Sequence, residues 1–588
     1  PGQHVEVGDS ICVLESMKME HVVHAECDGL VDECFVALGD VVAEAGLLVA
    51  LSPSGELQKG TTQEAERDLN RIRPDLAALQ AREGLLQDEA RPKAVERRRS
   101  RGQRTARENL LDLCDPGTFT EYGGLAVAAM RKVRELDDLQ KNTPADAIIT
   151  GTATVNGKLF DEDSSSCALL VVDATVLAGT QGFFHHKKID RILEIAEHGK
   201  LPVIFYPEGG GGRPNDTDAS DVFVAGLNIT SFSAFAALSG KVPRVAVVSG
   251  FCFAGSAAFA GCADVIIATK NACLGMGGPA MIEGGGLGVF EPKEIGPVSV
   301  QEKNGVLDLV VEDEQEAAGA AKKYLSYFQG TLSEWTAPDP LTLRHVIPEN
   351  RRRIYDVREL IAGLCDIGSV MELRRAYGPG MITAFVRIEG RPIGLIANDP
   401  MYLGGAIDDT GAQKAARFLQ LCDAFGLPVL SLCDTPGFMV GPEIEERAQV
   451  RKVSRLFVVG ANISVPLFCV ITRKGYGLGA QAMAGGGFSA PFDCVAWPTG
   501  EIGGMGLEGA VNLGFKKQLA ACETEVARTA LFEKLVGVMY EKGKALNAAS
   551  ALEYDAVIDP AETRQRILKG LRAYGPVAKG QRNFVDTW

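Results

Sequence analysis

The chain has 588 residues and a formal net charge of −16 at pH 7. That length predicts several domains with sizeable cores, at roughly 100–200 residues each. The acidic balance excludes bulk binding to nucleic acid, and the 46% hydrophobic content is that of a globular protein in water.

Residues 1–52 alternate short Val-rich runs with the turns Gly8-Asp9 and Gly39-Asp40, the pattern of a small all-β domain. Within it, Glu15-Ser16-Met17-Lys18-Met19-Glu20 sets a lysine between two methionines at a hairpin tip. A lone lysine in a turn is ordinarily a solvated charge, but apolar neighbours at an exposed tip have no packing role. Such a lysine is a long amine arm that can be acylated to carry a prosthetic group. The chain opens at Pro1 inside this pattern, so further residues are expected ahead of it. Residues 53–95 are rich in Glu, Arg, Ala and Leu and read as a helical linker with breaks near Pro74 and Pro92.

From residue 96 onward, short apolar runs alternate with Ala-rich helical text, the signal of an α/β fold. The text repeats. Leu201-Pro202-Val203 matches Leu427-Pro428-Val429, and Phe253-Ala254-Gly255-Ser256 matches Gly477-Leu478-Gly479-Ala480. Two homologous halves, 96–335 and 336–588, are expected. Each of the paired turns runs from a strand into a helix, where backbone N–H groups can stabilise a developing anion. Residues 245–263 carry no charge, but their β-branched run, Gly-Ser break and Ala-rich end predict a buried strand, turn and helix, not a membrane span. The run from Gly209 to Gly212 lacks the Lys-Ser/Thr of a nucleotide loop and reads as a structural turn. The 14 cysteines include no C-x-x-C pair; Cys252, Cys262, Cys433 and Cys469 read as buried reduced thiols, and no metal site is expected.

The lysine motif resembles the biotinyl (biotin carboxyl carrier) domain, a flattened all-β barrel, with Ser16 in place of the usual Ala. Downstream, Arg104-Thr105-Ala106-Arg107-Glu108, Thr180-Gln181-Gly182, Lys414-Ala415-Ala416-Arg417-Phe418, Asp434-Thr435-Pro436-Gly437-Phe438 and Ala496-Trp497-Pro498-Thr499 stand in an order that resembles the carboxyltransferase of biotin-dependent acyl-CoA carboxylases. The type is that of propionyl-CoA carboxylase β, and the carrier ahead of it resembles single-chain bacterial long-chain acyl-CoA carboxylases.

The resemblance implies two tandem crotonase-like (ββα superhelix) halves behind the biotinyl domain, with biotin on Lys18. It implies carboxyl transfer from carboxybiotin to the α-carbon of an acyl-CoA, giving a malonyl-CoA-type product, with a broad or long acyl range. The N–H groups of Ala254 and Gly255 would hold the thioester oxygen, and those of Leu478 and Gly479 the biotin ureido oxygen. The freed ureido nitrogen would take the α-proton, so no side-chain base is required. Ala480 and Gln481 would shape the acyl pocket. Arg104, Arg107, Gly179 and Gly182 would contact CoA, a solvated linker face being the rival for the arginines. His185-His186 and Lys187-Lys188 would form a charged helix start near CoA or solvent. ATP, Mg and bicarbonate would be handled by a biotin carboxylase domain or subunit outside this segment. A cytoplasmic homohexamer without nucleic-acid or membrane partners is implied. Two alternatives stay open: a biotin-dependent decarboxylase or transcarboxylase, and a crotonase-like hydratase or hydrolase. The latter needs acids near the turns; Glu283, Glu501 and Glu508 are candidates but read as surface positions.

Overall fold

The computed structural model describes residues 1–16, 19–54, 68–219, 226–577 and 584–588, so Met17 and Lys18 lie outside the described residues. The chain divides into two compact units, Pro1–Pro74 and Asp75–Trp588. The first is all-β. Its strands are β1 (His4–Val5), β2 (Ser10–Ser16), β3 (Met19–His24), β4 (Gly29–Cys34) and β5 (Val49–Pro53). β2 and β3 form an antiparallel hairpin whose last pair before the tip is Ser16 with Met19. β1, β4 and β5 form the other sheet, and Val5, Ala25 and Val31 make a small core.

The second unit begins with helices at Pro74–Gly84 and Pro92–Arg99, so both predicted breaks are helix starts. Proline suits that first position because its missing N–H would have no helical partner. Thr105 and Glu108 form a reciprocal capping box at the next helix, Ala106–Leu113.

Beyond it come two sheets. The first holds β6 (Thr120–Tyr122), β7 (Ile148–Thr154), β8 (Ser166–Val172), β9 (Val203–Tyr206), β10 (Arg244–Val248), β12 (Val265–Thr269) and β14 (Leu309–Val311), while β11 (Phe251–Phe253) pairs with β13 (Cys273–Gly275). The second holds β15 (Met371–Leu373), β16 (Met381–Ile388), β17 (Arg391–Asn398), β18 (Val429–Thr435), β19 (Leu467–Tyr476), β20 (Asp493–Ala496) and β22 (Ala556–Val557), with β21 (Glu501–Gly503) pairing to the end of β19. Each sheet runs antiparallel, antiparallel, then parallel four times over, strand for strand. The repeat read in the sequence is therefore a repeat of fold.

One face of both sheets shares a core that includes Leu169, Ile204 and Val245 from the first and Phe385, Ile396 and Ile471 from the second. The opposite faces have their own cores, the first under the Phe183–Gly199 helix and the second around Trp497. Residues 245–263 fold as the buried strand β10, the short β11 and the helix Gly255–Gly261, as their text predicts. Among the described residues no helix is long and apolar enough to cross a membrane.

Candidate functional site

In the first half β11 delivers the chain to Ala254, held at φ 50°, and the helix Gly255–Gly261 begins at once. A non-glycine residue at positive φ is uncommon and marks a strained, over-determined turn. The Ala254 N–H donates to the Gly275 carbonyl at 3.1 Å, and its own carbonyl accepts from Ala258 at 2.9 Å. Gly255 is thus the first residue whose N–H has neither a strand nor a helix partner, which makes it the available donor of the expected pair. The Gly209–Gly212 run lies against this turn. Gly209 N–H donates to Phe251 O at 2.8 Å, and Phe253 N–H returns to Gly209 O at 3.0 Å. A Cβ on Gly211, at φ +92°, would stand 2.7 Å from the Ala254 Cβ, so the close approach requires glycine.

The second half repeats the arrangement. β19 ends at Tyr476, opposite Gly503, and Gly477, at φ 57°, is the first residue of the helix Gly477–Met483. A Cβ on Gly479 would lie 2.7 Å from both Cα and C of Gly437. Gly437 corresponds to Gly211: Ile407 N–H donates to Gly437 O at 3.0 Å as Gln181 N–H donates to Gly211 O at 2.8 Å. By positive φ and strand partner, Ala254 corresponds to Gly477 and Gly255 to Leu478, an offset of one residue from the sequence match. The Leu478 side chain is 62% exposed, where the first half has only glycine.

A cavity of about 1120 Å³ opens beside the second turn, lined by Gly477, Gln481, Met505 and Met539 among others. Gln481 faces it, whereas Ala480 is buried. A second cavity, of about 630 Å³, lies beside the first half's Gln181 and Gly182. Gln181 connects it to the turn: its Nε2 donates to Ser256 Oγ at 3.3 Å, and its Oε1 occupies the space a Gly255 side chain would need. Gly182 lines this cavity. Gly179, at φ +69°, lies against the Glu208 carbonyl and does not line it.

The two arginines expected at CoA are held within the chain. Arg104 pairs with Asp112 at 2.7 Å, and Arg107 forks onto Glu121 at 2.9 and 3.2 Å while donating to Leu86 O at 3.0 Å. Arg107→Ala should therefore lower stability by about 1–3 kcal/mol and leave the KM for acyl-CoA unchanged. Urea unfolding and initial rates on the same protein check it; a raised KM with unchanged stability would restore the CoA contact.

Two sequence readings are corrected. The start of the Phe183–Gly199 helix is not a charged surface. His185 is fully buried on Asp146, and Lys188, 7% exposed, donates to the carbonyls of Ala145 and Ile148. Residues Ala145 to Ala147, all at positive φ, aim those carbonyls inward, and no local text announces this. Glu501 is likewise buried, at 1% exposure, and pairs with Arg351 at 3.5 Å. Burial raises its pKa against the opposing pull of Arg351. Glu283 is exposed, and Glu508 is half-buried on Arg351 at 2.9 Å. Lys414, read in the sequence only as part of a family motif, has a buried amine without a hydrogen-bond partner among the described residues. All 14 cysteines are unpaired; nine are buried, and Cys262 is only partly so.

Comparison with known proteins follows this geometry. Residues 97–582 match the carboxyl transferase domain family and residues 1–51 the biotin-requiring enzyme family. The methylmalonyl-CoA carboxyltransferase 12S subunit of Propionibacterium freudenreichii subsp. shermanii is 33% identical over 492 residues, 82% of this chain and 90% of that protein. Among solved structures, a single-chain, multi-domain long-chain acyl-CoA carboxylase superposes with a TM-score of 0.81 at 51% identity, covering 97% of this chain. This chain spans 54% of that protein's length. The transcarboxylase 12S hexamer with methylmalonyl-CoA bound gives a TM-score of 0.73 at 29% identity, over 87% of this chain and 97% of that one.

Proposed function

This chain belongs to the carboxyl transferase family, with a biotin-requiring domain ahead of the transferase, and we propose that it moves a carboxyl group from biotin on Lys18 to the α-carbon of an acyl-CoA. The observation that carries the reading is the pair of fold-equivalent turns, each opening a helix beside a cavity, behind a carrier hairpin on the same chain.

The residues present suit biotin. The last described pair of the β2–β3 hairpin is Ser16 with Met19, on either side of Met17-Lys18 in the sequence, and Met19 is 60% exposed. The second turn packs Gly479 directly against the Gly437 backbone, which leaves no room for a side chain there and fixes the turn beside the larger cavity. When bound, biotin supplies the carboxyl group and, once relieved of it, a ureido nitrogen able to accept the α-proton. The chain supplies position and charge stabilisation. The Leu478 and Gly479 N–H groups, at the start of their helix, would hold the ureido oxygen, and the Gly255 N–H would hold the thioester oxygen as it gains charge. Because those donors are fixed before reaction, they need no reorganisation as charge develops. The Leu478 side chain is an exposed apolar group at the turn, and Gln481 offers the cavity a polar surface.

Membership in the family does not by itself distinguish carboxylase from decarboxylase or transcarboxylase. The likeness to the single-chain carboxylase at 51% identity, carrier and transferase together, favours an acyl-CoA carboxylase with a long-chain range. ATP-dependent loading of biotin is assigned to a biotin carboxylase domain or subunit, the transferase to the cytoplasm, and its assembly to a hexamer, as the 12S relative assembles.

The test is carboxyl transfer to a panel of acyl-CoA esters from acetyl to palmitoyl, with carboxybiotinylated protein and with Lys18→Arg, each also given free carboxybiotin. Wild type should carboxylate part of the panel, and Lys18→Arg should lose at least about 100-fold of the protein-bound route while retaining transfer from free carboxybiotin. Hydration or hydrolysis in place of carboxylation would award the site to the crotonase alternative.

A further inference from the structure

The cavity beside Gln181 contains a hydrogen-bonded chain that carboxyl transfer does not use. His186, 7% exposed, lines it with Gln181, Gly182 and Asp190. Its Nδ1 lies 3.1 Å from Ser231 Oγ. Ser231 Oγ donates to Asp190 Oδ1 at 2.6 Å, and Thr230 Oγ1 donates to the other carboxylate oxygen at 2.9 Å.

The direction of this chain is fixed by counting protons. A serine hydroxyl has one. The carboxylate at 2.6 Å takes it in preference to the His186 carbonyl at 3.4 Å, because a charge-assisted bond is the shorter and stronger. Ser231 can then offer His186 only a lone pair, so Nδ1 is the donor. A neutral imidazole carries one N–H, so Nε2 is left as an acceptor. Burial, assisted by Arg213, lowers the pKa of this ring against the pull of Asp190 and Asp216; buried His185 is its other titratable neighbour. The neutral form therefore persists at neutral pH. The cavity wall presents an acceptor whose polarity is set by groups behind it.

The repeat shows that the chain is not a requirement of the fold. Counting back from Val203 and Val429, the counterparts of His186 and Asp190 in the second half are Ala412 and Ala416. The acceptor exists only in the half assigned to the acyl-CoA.

A CoA thioester carries an amide N–H two carbons from its sulfur, and Gln181 joins this cavity to the Gly255 turn. We propose that His186 Nε2 accepts the pantetheine amide N–H, making the His186–Ser231–Asp190 chain a positioning device for acyl-CoA. This rests on the carboxyltransferase reading above. The rival is purely structural: the same bonds fasten the Ser231–Ala237 helix onto Phe183–Gly199.

Two competitors of propionyl-CoA separate these. One is S-propionyl-N-acetylcysteamine; the other is its counterpart with the amide N–H replaced by an ester oxygen. Wild type should bind the amide about tenfold more tightly. His186→Phe should abolish that preference and raise the KM for propionyl-CoA about tenfold with kcat within about twofold. His186→Gln, which retains an acceptor, should recover part of both. The KM of wild type should rise toward acid pH as the ring protonates, and His186→Phe should lose that rise. Equal amide-to-ester ratios in wild type and His186→Phe, or equal damage from Phe and Gln, would overturn the proposal. Should wild type carboxylate no acyl-CoA, the transferase reading fails separately. Calorimetric titration of CoA into wild type and His186→Phe then still decides the contact without turnover.

Discussion

Gly479→Ala lowers kcat for carboxyl transfer by about 10²–10³-fold while the affinity for acyl-CoA holds. The reason is steric and local. Gly479 does not stand at positive φ, so alanine is conformationally admissible there. Its Cβ, however, would lie 2.7 Å from the Cα and C of Gly437 and 3.1 Å from the Phe438 nitrogen, all backbone. Gly437 cannot yield readily: its carbonyl accepts from Ile407 at 3.0 Å, and its N–H is held by Thr435 Oγ1 at 3.1 Å. The turn must therefore open, which carries the Leu478 and Gly479 N–H groups away from the oxygen they are proposed to hold. Displacement of such donors by about 1 Å is enough for losses of this size. Gly261→Ala is the control, since a Cβ there meets nothing within 4 Å. Steady-state rates with protein-bound biotin and calorimetry with acyl-CoA give the answer. An unchanged kcat in Gly479→Ala would mean that this turn does not hold the carboxyl donor.

Much of this site is legible in the sequence, and the limits have physical causes. The repeated Leu-Pro-Val segments are visible because each starts a central parallel strand, β9 or β18, where the fold tolerates only apolar text. Several family motifs turn out to be structural. Thr105 and Glu108 cap a helix, and Trp497 is fully buried, with its Nε1 donating to Thr563 Oγ1 at 3.0 Å. What the text cannot give is register at the turns. Whether residue 254 or 255 presents a free N–H depends on a carbonyl at Gly275, twenty-one residues on, and on a φ that alanine rarely adopts. The buried charges were hidden for the same reason. Lys188 reads as a surface lysine until the inward carbonyls of Ala145 and Ile148 are known.

The same repeat isolates the largest stability effect in the molecule. Lys414 stands as far before Val429 as Lys188 does before Val203, on equivalent helices, and both are buried. Lys188 has two carbonyl acceptors; the Lys414 amine has none among the described residues. Burial pushes the Lys414 pKa from 10.5 down to about 7, with Glu372 opposing and Arg358 and Arg374 adding to the fall. In the unfolded chain the amine binds its proton up to about pH 10.4, so between there and pH 7 the unfolded state carries more protons and stability rises with pH. Lys414→Met keeps the stem and removes the titration. It should gain about 2–4 kcal/mol at pH 7, unchanged below that pH and vanishing toward pH ~10. Lys188→Met should not share the gain, because it strands two buried carbonyls. Urea midpoints of both variants between pH 6 and 9.5 decide the matter. A loss of stability in Lys414→Met would show that this ammonium has a partner in the working assembly, and the helix bearing it would then be a place where binding, not folding, sets the sequence.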